Sequence, residues 1–118
     1  MSDKKKKLKL AIIGCGAISA NAHIPNACKS SLFDVQFLVD KNLDLARQHA
    51  THFAIPNVVD DFQKIIGEVE AAIVAVPHKL HHALTIPLLQ EGIHVLVEKP
   101  MAVKFEECTE MIQTAKEN

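Results

Sequence analysis

Five stretches of this chain are apolar on most of their residues, and the segments between them repeat apolar residues at helical spacing. The first, Leu8 to Ile13, reads as a strand, followed by a helix from about Ala17 to Cys28 in which Pro25 is an irregularity. Val35 to Val39 is a second strand. Asn42 then caps a helix on which Leu43, Ala46, Ala50 and Phe53 share a face, until Pro56 stops the pattern. Val58 and Val59 make a short third strand, and Asp61 caps a brief helix carrying Phe62, Ile65 and Ile66 that ends at Gly67. A fourth strand, Ala71 to Val76, and a fifth, His94 to Val97, are so uniformly apolar that both of their faces should be covered. The helix between them, about Lys79 to Glu91, is closed by Gly92, and Pro87 within it predicts a kink or split near Ala83 costing about 3 kcal/mol. A last helix, Val103 to about Lys116, should bury a stripe of Phe105, Cys108, Met111, Ile112 and Ala115.

Strict alternation of strands and helices predicts an α/β fold with a doubly wound parallel sheet of five strands. Sheets of this kind usually run to six strands in the order 3-2-1-4-5-6, so the sixth is missing and the fifth is an exposed edge prone to self-association. The expected organisation is a basic leader over residues 1–7 and one domain over 8–118, truncated at its C-terminal end and forming the first part of a longer protein.

Composition narrows the function classes. The 118 residues suffice for one domain, and 13 basic against 14 acidic side chains leave no global field to attract nucleic acid. The run Lys4 to Lys7 reads as a solvated leader. The same leader, with Ile12-Ile13-Gly14-Cys15 behind it, also has the outline of an export signal with a lipoprotein box, although Lys9 interrupts its apolar segment. Cys15, Cys28 and Cys108 are odd in number and in no metal-ligand spacing, which suits reduced thiols in the cytoplasm. No apolar run approaches the length of a membrane span.

The chemistry starts at Gly14-Cys15-Gly16-Ala17-Ile18-Ser19, a G-x-G-x-x-S turn between the first strand and its helix. A glycine at 14 permits a sharp turn, one at 16 lets a phosphate approach without meeting a Cβ, and amides at Ala17 and Ile18 would face the anion. Methyltransferases use a similar loop, so the motif alone leaves the nucleotide open. Asp40 ends the second strand 24 residues after Gly16 (40 − 16), near the spacing of the acid that accepts from ribose hydroxyls, which favours NAD over NADP. It could also simply open the turn before Asn42, and Lys41 beside it could accept a phosphate. Val76, Pro77, His78 and His81 follow the fourth strand at the sheet's carboxyl edge, where His81 could contact a ribose and His82 would face solvent. No further ligand completes a metal site with these histidines, and His23, His49, His52 and His94 are assigned to structure or solvent. Glu98 and Lys99 follow the fifth strand, where a lysine can share a proton with a hydroxyl or carbonyl.

Taken together, G-C-G-A-I-S, the acid after strand two, V-P-H-K-L-H and E-G-I-H-V-L-V-E-K-P-M-A closely resemble the cofactor-binding domain of one oxidoreductase family. It is the family of glucose-fructose oxidoreductase, inositol dehydrogenase and the rhizopine-catabolism oxidoreductase, and the likeness runs from about Leu8 to the end. The resemblance implies a Rossmann domain that binds NAD, or NADP, with the pyrophosphate at residues 14–19 and the adenosine ribose at Asp40. It places the nicotinamide side near Pro77, His78 and His81, Glu98 and Lys99 near the nicotinamide ribose, and makes Lys99 an aid to catalysis on a sugar, cyclitol or related substrate. The peptide between Lys99 and Pro100 is often cis in relatives. Ser19, Val76 and Pro87 depart from the family pattern, and the second domain that supplies the substrate pocket is absent. The implied parent is an NAD(P)-dependent dehydrogenase and a homo-oligomer, whose isolated fragment binds cofactor without turnover. A non-catalytic sensing module is the other reading.

Overall fold

The computed structural model describes residues 6–99 and 101–118. Strand β1 (Leu8–Ile13) leads through the glycine loop into a π-helical turn (Ser19–His23) and helix α1 (Ile24–Lys29). Then come β2 (Phe33–Val39), α2 (Leu43–Phe53), β3 (Asn57–Val59), a 3-10 turn (Phe62–Ile65) and β4 (Ala71–Val74). A second 3-10 turn (His78–Leu80), α3 (His81–Gln90), β5 (His94–Val97) and α4 (Phe105–Glu117) complete the order.

The five strands form one parallel sheet in the order β3-β2-β1-β4-β5. Alternation of side chains along β1 divides the core between the two faces. Leu10 and Ile12 pack with Ile24, Leu38, Ala46 and Ile55 beneath α1 and α2, whereas Ala11 and Ile13 pack with Val39, Ile65, Val74 and Leu88 beneath α3. The caps read from sequence are made. Asn42 accepts from the Leu45 amide at 3.1 Å, and Asp61 accepts from that of Gln63 at 2.9 Å.

Several expectations are corrected. The fourth strand ends at Val74, two residues early; the Ala75 amide still bonds the Ile13 carbonyl at 2.8 Å, and the Ala75 carbonyl and Val76 amide lie against Gly14. No split occurs at Ala83. Helix α3 runs unbroken through Pro87, so the donor that Pro87 lacks toward the Ala83 carbonyl does not divide the helix. The π turn immediately precedes Pro25: the Ile24 amide bonds the Ser19 carbonyl five residues back, so the irregularity lies ahead of the proline. On β5, Leu96 is 58% exposed, so its two faces are not both covered. On α4 the buried residues are Met111 and Thr114, while Phe105 is 82% exposed and Ile112 and Ala115 also face outward. Among the described residues, that helix packs chiefly against α3. Residues 1–5 of the leader, and the Lys99-Pro100 peptide with Pro100, lie outside the described residues.

Candidate cofactor site

The site lies where β1, β2 and β4 end together. Gly14 leaves β1 with φ +99°, a conformation that side chains rarely adopt. A Cβ built there would stand 2.4 Å from the Ala75 carbonyl oxygen, so this glycine is required twice over, by backbone angle and by the approach of β4. Its amide donates to the Val39 carbonyl at 2.7 Å, and its carbonyl accepts from the buried Ser19 hydroxyl. The third small residue of the motif therefore closes the loop with a bond as well as giving room.

Gly16 is different. A Cβ at Gly16 would meet no protein atom within 4 Å. Packing gives no reason for glycine there, and the space it leaves opens outward, as a loop that admits a phosphate needs.

Asp40 is tied to this loop. Its Oδ2 accepts from the Cys15 amide at 2.8 Å, and its Oδ1 accepts from the Asn42 amide at 2.8 Å. The turn-opening role and the loop-facing position are thus both realised. Each carboxylate oxygen keeps a further lone-pair direction for a ligand hydroxyl. The neighbouring Cys15 thiol is buried, and desolvation, followed by the charge of Asp40, pushes its pKa up to about 12. It is a protonated small hydrophobe, not a nucleophile.

A cleft of about 1060 Å³ joins these groups, and Gly14, Cys15, Gly16, Asp40, Lys41, Val76 and Pro77 all line it. Asp60, Phe62 and Lys64 add a wall that the sequence did not single out; Lys64 pairs with Asp60 at 2.9 Å. Ala17, Ile18, His78, His81, Glu98 and Lys99 are not on that wall. Ala17, Ile18, His78 and Lys99 are exposed. The ring of His81 is 1% exposed, and its Nε2 donates to the Val76 carbonyl at 2.8 Å, since a carbonyl can only accept. His81 therefore braces the turn after β4 from within, where a ribose contact was expected. His82 is not a solvent residue either. It bonds Glu110 at 2.6 Å and lies 3.5 Å from Glu107, joining α3 to α4.

Sequence reasoning missed one contact at this edge. The His23 imidazole, on the π turn, is paired with the Glu98 carboxylate 75 residues away. Nothing in linear spacing signals it, because it depends on the order in which β1, β4 and β5 lie side by side.

Comparison with known proteins agrees with this arrangement. D-glucoside 3-dehydrogenase of Escherichia coli K12 is 32% identical over 111 residues, covering 92% of this chain and 32% of the relative. Inositol 2-dehydrogenase/D-chiro-inositol 3-dehydrogenase of Shouchella clausii is 31% identical over 109 residues, covering 90% of this chain and 32% of the relative. The chain thus spans about a third of the length of these curated relatives. Among solved structures, GenD2 from gentamicin A biosynthesis in complex with NAD superposes with a TM-score of 0.91 at 23% identity, covering 98% of this chain and 33% of that one. KijD10, a 3-ketoreductase from Actinomadura kijaniata in complex with NADP and TDP-benzene, gives 0.89 at 24% identity, covering 95% and 35%. Residues 8–118 match the model of an oxidoreductase family with an NAD-binding Rossmann fold. The chain belongs to that family, the one named for glucose-fructose oxidoreductase, inositol dehydrogenase and the rhizopine-catabolism oxidoreductase, and it carries the family's N-terminal NAD-binding domain.

Proposed function

We propose that this chain is the cofactor-binding part of a cytoplasmic dehydrogenase acting on a hydroxyl-bearing carbon of a sugar, cyclitol or related substrate. The observation that carries the reading is Gly16, whose missing side chain serves no packing purpose and opens space beside the cleft lined by Asp40. Residues 14–18 would receive the pyrophosphate, with the amides of the exposed residues Ala17 and Ile18 turned to it. Asp40 would accept from ribose hydroxyls and disfavour a 2′-phosphate, which selects NAD over NADP; Lys41 on the rim moderates that preference. Val76, Pro77 and His78, with Glu98 and Lys99, would flank the nicotinamide half. The bound nicotinamide would supply the hydride chemistry. The chain's own contribution there is Lys99, exposed after β5, to hold or move a proton at the substrate oxygen.

By itself the chain is expected to bind cofactor without turnover and to self-associate through the outer edge of β5, where Leu96 is exposed. Family membership leaves no support for the methyltransferase alternative. Titration calorimetry with NAD, NADP and S-adenosylmethionine tests the reading. NAD should bind at least about tenfold more tightly than NADP, the outcome of leaving a 2′-phosphate against a carboxylate. Binding of S-adenosylmethionine alone, or of none of the three, would overturn it.

A further inference from the structure

We infer that His23 is a positioning residue, which holds the Glu98-Lys99 segment over the carboxyl end of the sheet and so couples the phosphate loop to the nicotinamide end of the site. The inference rests on the proposed function for its ligand but on the geometry alone for its mechanical part.

The two residues start far apart. His23 closes the π turn that follows the glycine loop, and Glu98 is the residue after β5. In the sheet β4 separates β1 from β5, with Ile13 aligned to Val74 and Val74 to Val97. The pair therefore spans the end of β4, bridging two strand spacings of about 4.8 Å each. A carboxylate can only accept, so the His23 Nε2–H is the donor. The side chains are 15% and 31% exposed, shielded enough for the contact to matter and near enough to the surface to adjoin a ligand.

Among the described residues, the segment has a further anchor on the sheet. The Glu98 amide bonds the Val74 carbonyl at 3.1 Å, which fixes its backbone to β4, while the next residue, Lys99, is exposed. The π turn supplies the other anchor. Its wider loop, with the Ile24 amide reaching back to Ser19, sets His23 in the same turn as Ser19, whose hydroxyl closes on Gly14. A continuous set of bonds thus runs from Gly14 through the π turn to Glu98.

The test uses the full chain and two ligands, NADH and ADP, which lacks the nicotinamide and its ribose but keeps the adenosine and pyrophosphate. His23→Leu should weaken NADH by about fivefold to tenfold, the worth of one part-buried hydrogen bond, and leave ADP unchanged. His23→Gln, which keeps a donor, should recover most of the loss. Amide exchange at Glu98 and Lys99 should quicken in His23→Leu, and Glu98→Ala combined with His23→Leu should be no worse than Glu98→Ala alone. Equal weakening of both ligands, no change in NADH, or additive losses in the double variant would overturn the inference. If the wild-type chain binds neither ligand, the cofactor reading fails, and exchange alone decides: quickened exchange at Glu98 and Lys99 supports the clamp, and unchanged exchange overturns it.

Discussion

The two halves of the sheet solve the problem of its carboxyl edge in opposite ways. Around β1 and β2, Gly14 bonds Val39, Cys15 bonds Asp40 and Ser19 closes on Gly14, so the turn is braced from every side. Around β5 and α4 the support comes from one side. Leu96 is 58%, Phe105 82% and Ile112 50% exposed, and α4 packs against α3, with Met111 and Thr114 buried and His82 paired with Glu110. On the proposed function, the difference would separate binding from reaction. The end that would receive phosphates is preorganised by its own backbone, which removes an ordering cost on binding. The end that would carry proton transfer is an edge, held across the sheet by His23 and Glu98.

The comparison can be broken first at Gly14. Gly14→Ala forces a side chain into φ +99° and against the Ala75 carbonyl, and should cost about 4 kcal/mol in chemical denaturation, as strain and overpacking combine. A loss below about 1 kcal/mol would mean that the turn is far less constrained than its geometry indicates. In the other half, Met111→Ala should cost about 3 kcal/mol as a buried truncation, whereas Phe105→Ala should stay within about 0.5 kcal/mol. Comparable costs for the two would show Phe105 to be covered in solution.

A pH series sharpens the contrast further. The folded Cys15 thiol titrates well above its ordinary value of 9.0, at about 12, so its neutral form stabilises the fold fully below pH 9. Stability should fall as the pH rises from 9 toward 12, by at most about 1.4 kcal/mol per pH unit from this group, and the slope should flatten in Cys15→Ala. Smallest of all is the stability effect of Gly16→Ala, within about 0.5 kcal/mol, because the new methyl meets nothing. The same change should still weaken NAD by about tenfold if phosphate approaches there, as a calorimetric titration would reveal.

Much of the fold is legible in the sequence. Leu8–Ile13, Leu43–Phe53 and His94–Val97 lie where periodicity and caps put them, since Asn42 and Pro56 act within a few residues of the ends they set. The stripe of α4 is read less well: periodicity orients its apolar residues relative to one another but carries no information on how much partner surface is available. Pro87 likewise states that a donor is missing, while only the structure shows that α3 continues through it.

At the site, the glycine loop and Asp40 are legible because their roles are local to a turn or follow from the spacing of one strand–helix–strand unit. The brace of His81 against Val76 lies outside that reading, since its ring could have faced either the crevice or the core, and burial chose the core. Sequence alone therefore determined the element order, the parallel sheet and the backbone needs of the glycine loop, all set by short-range sterics and hydrophobic period. Only the tertiary structure decided that Gly16 opens to space, that β5 and α4 stand half-covered, and that His23 meets Glu98. Those facts depend on which strands become neighbours, and that is a property of the whole sheet.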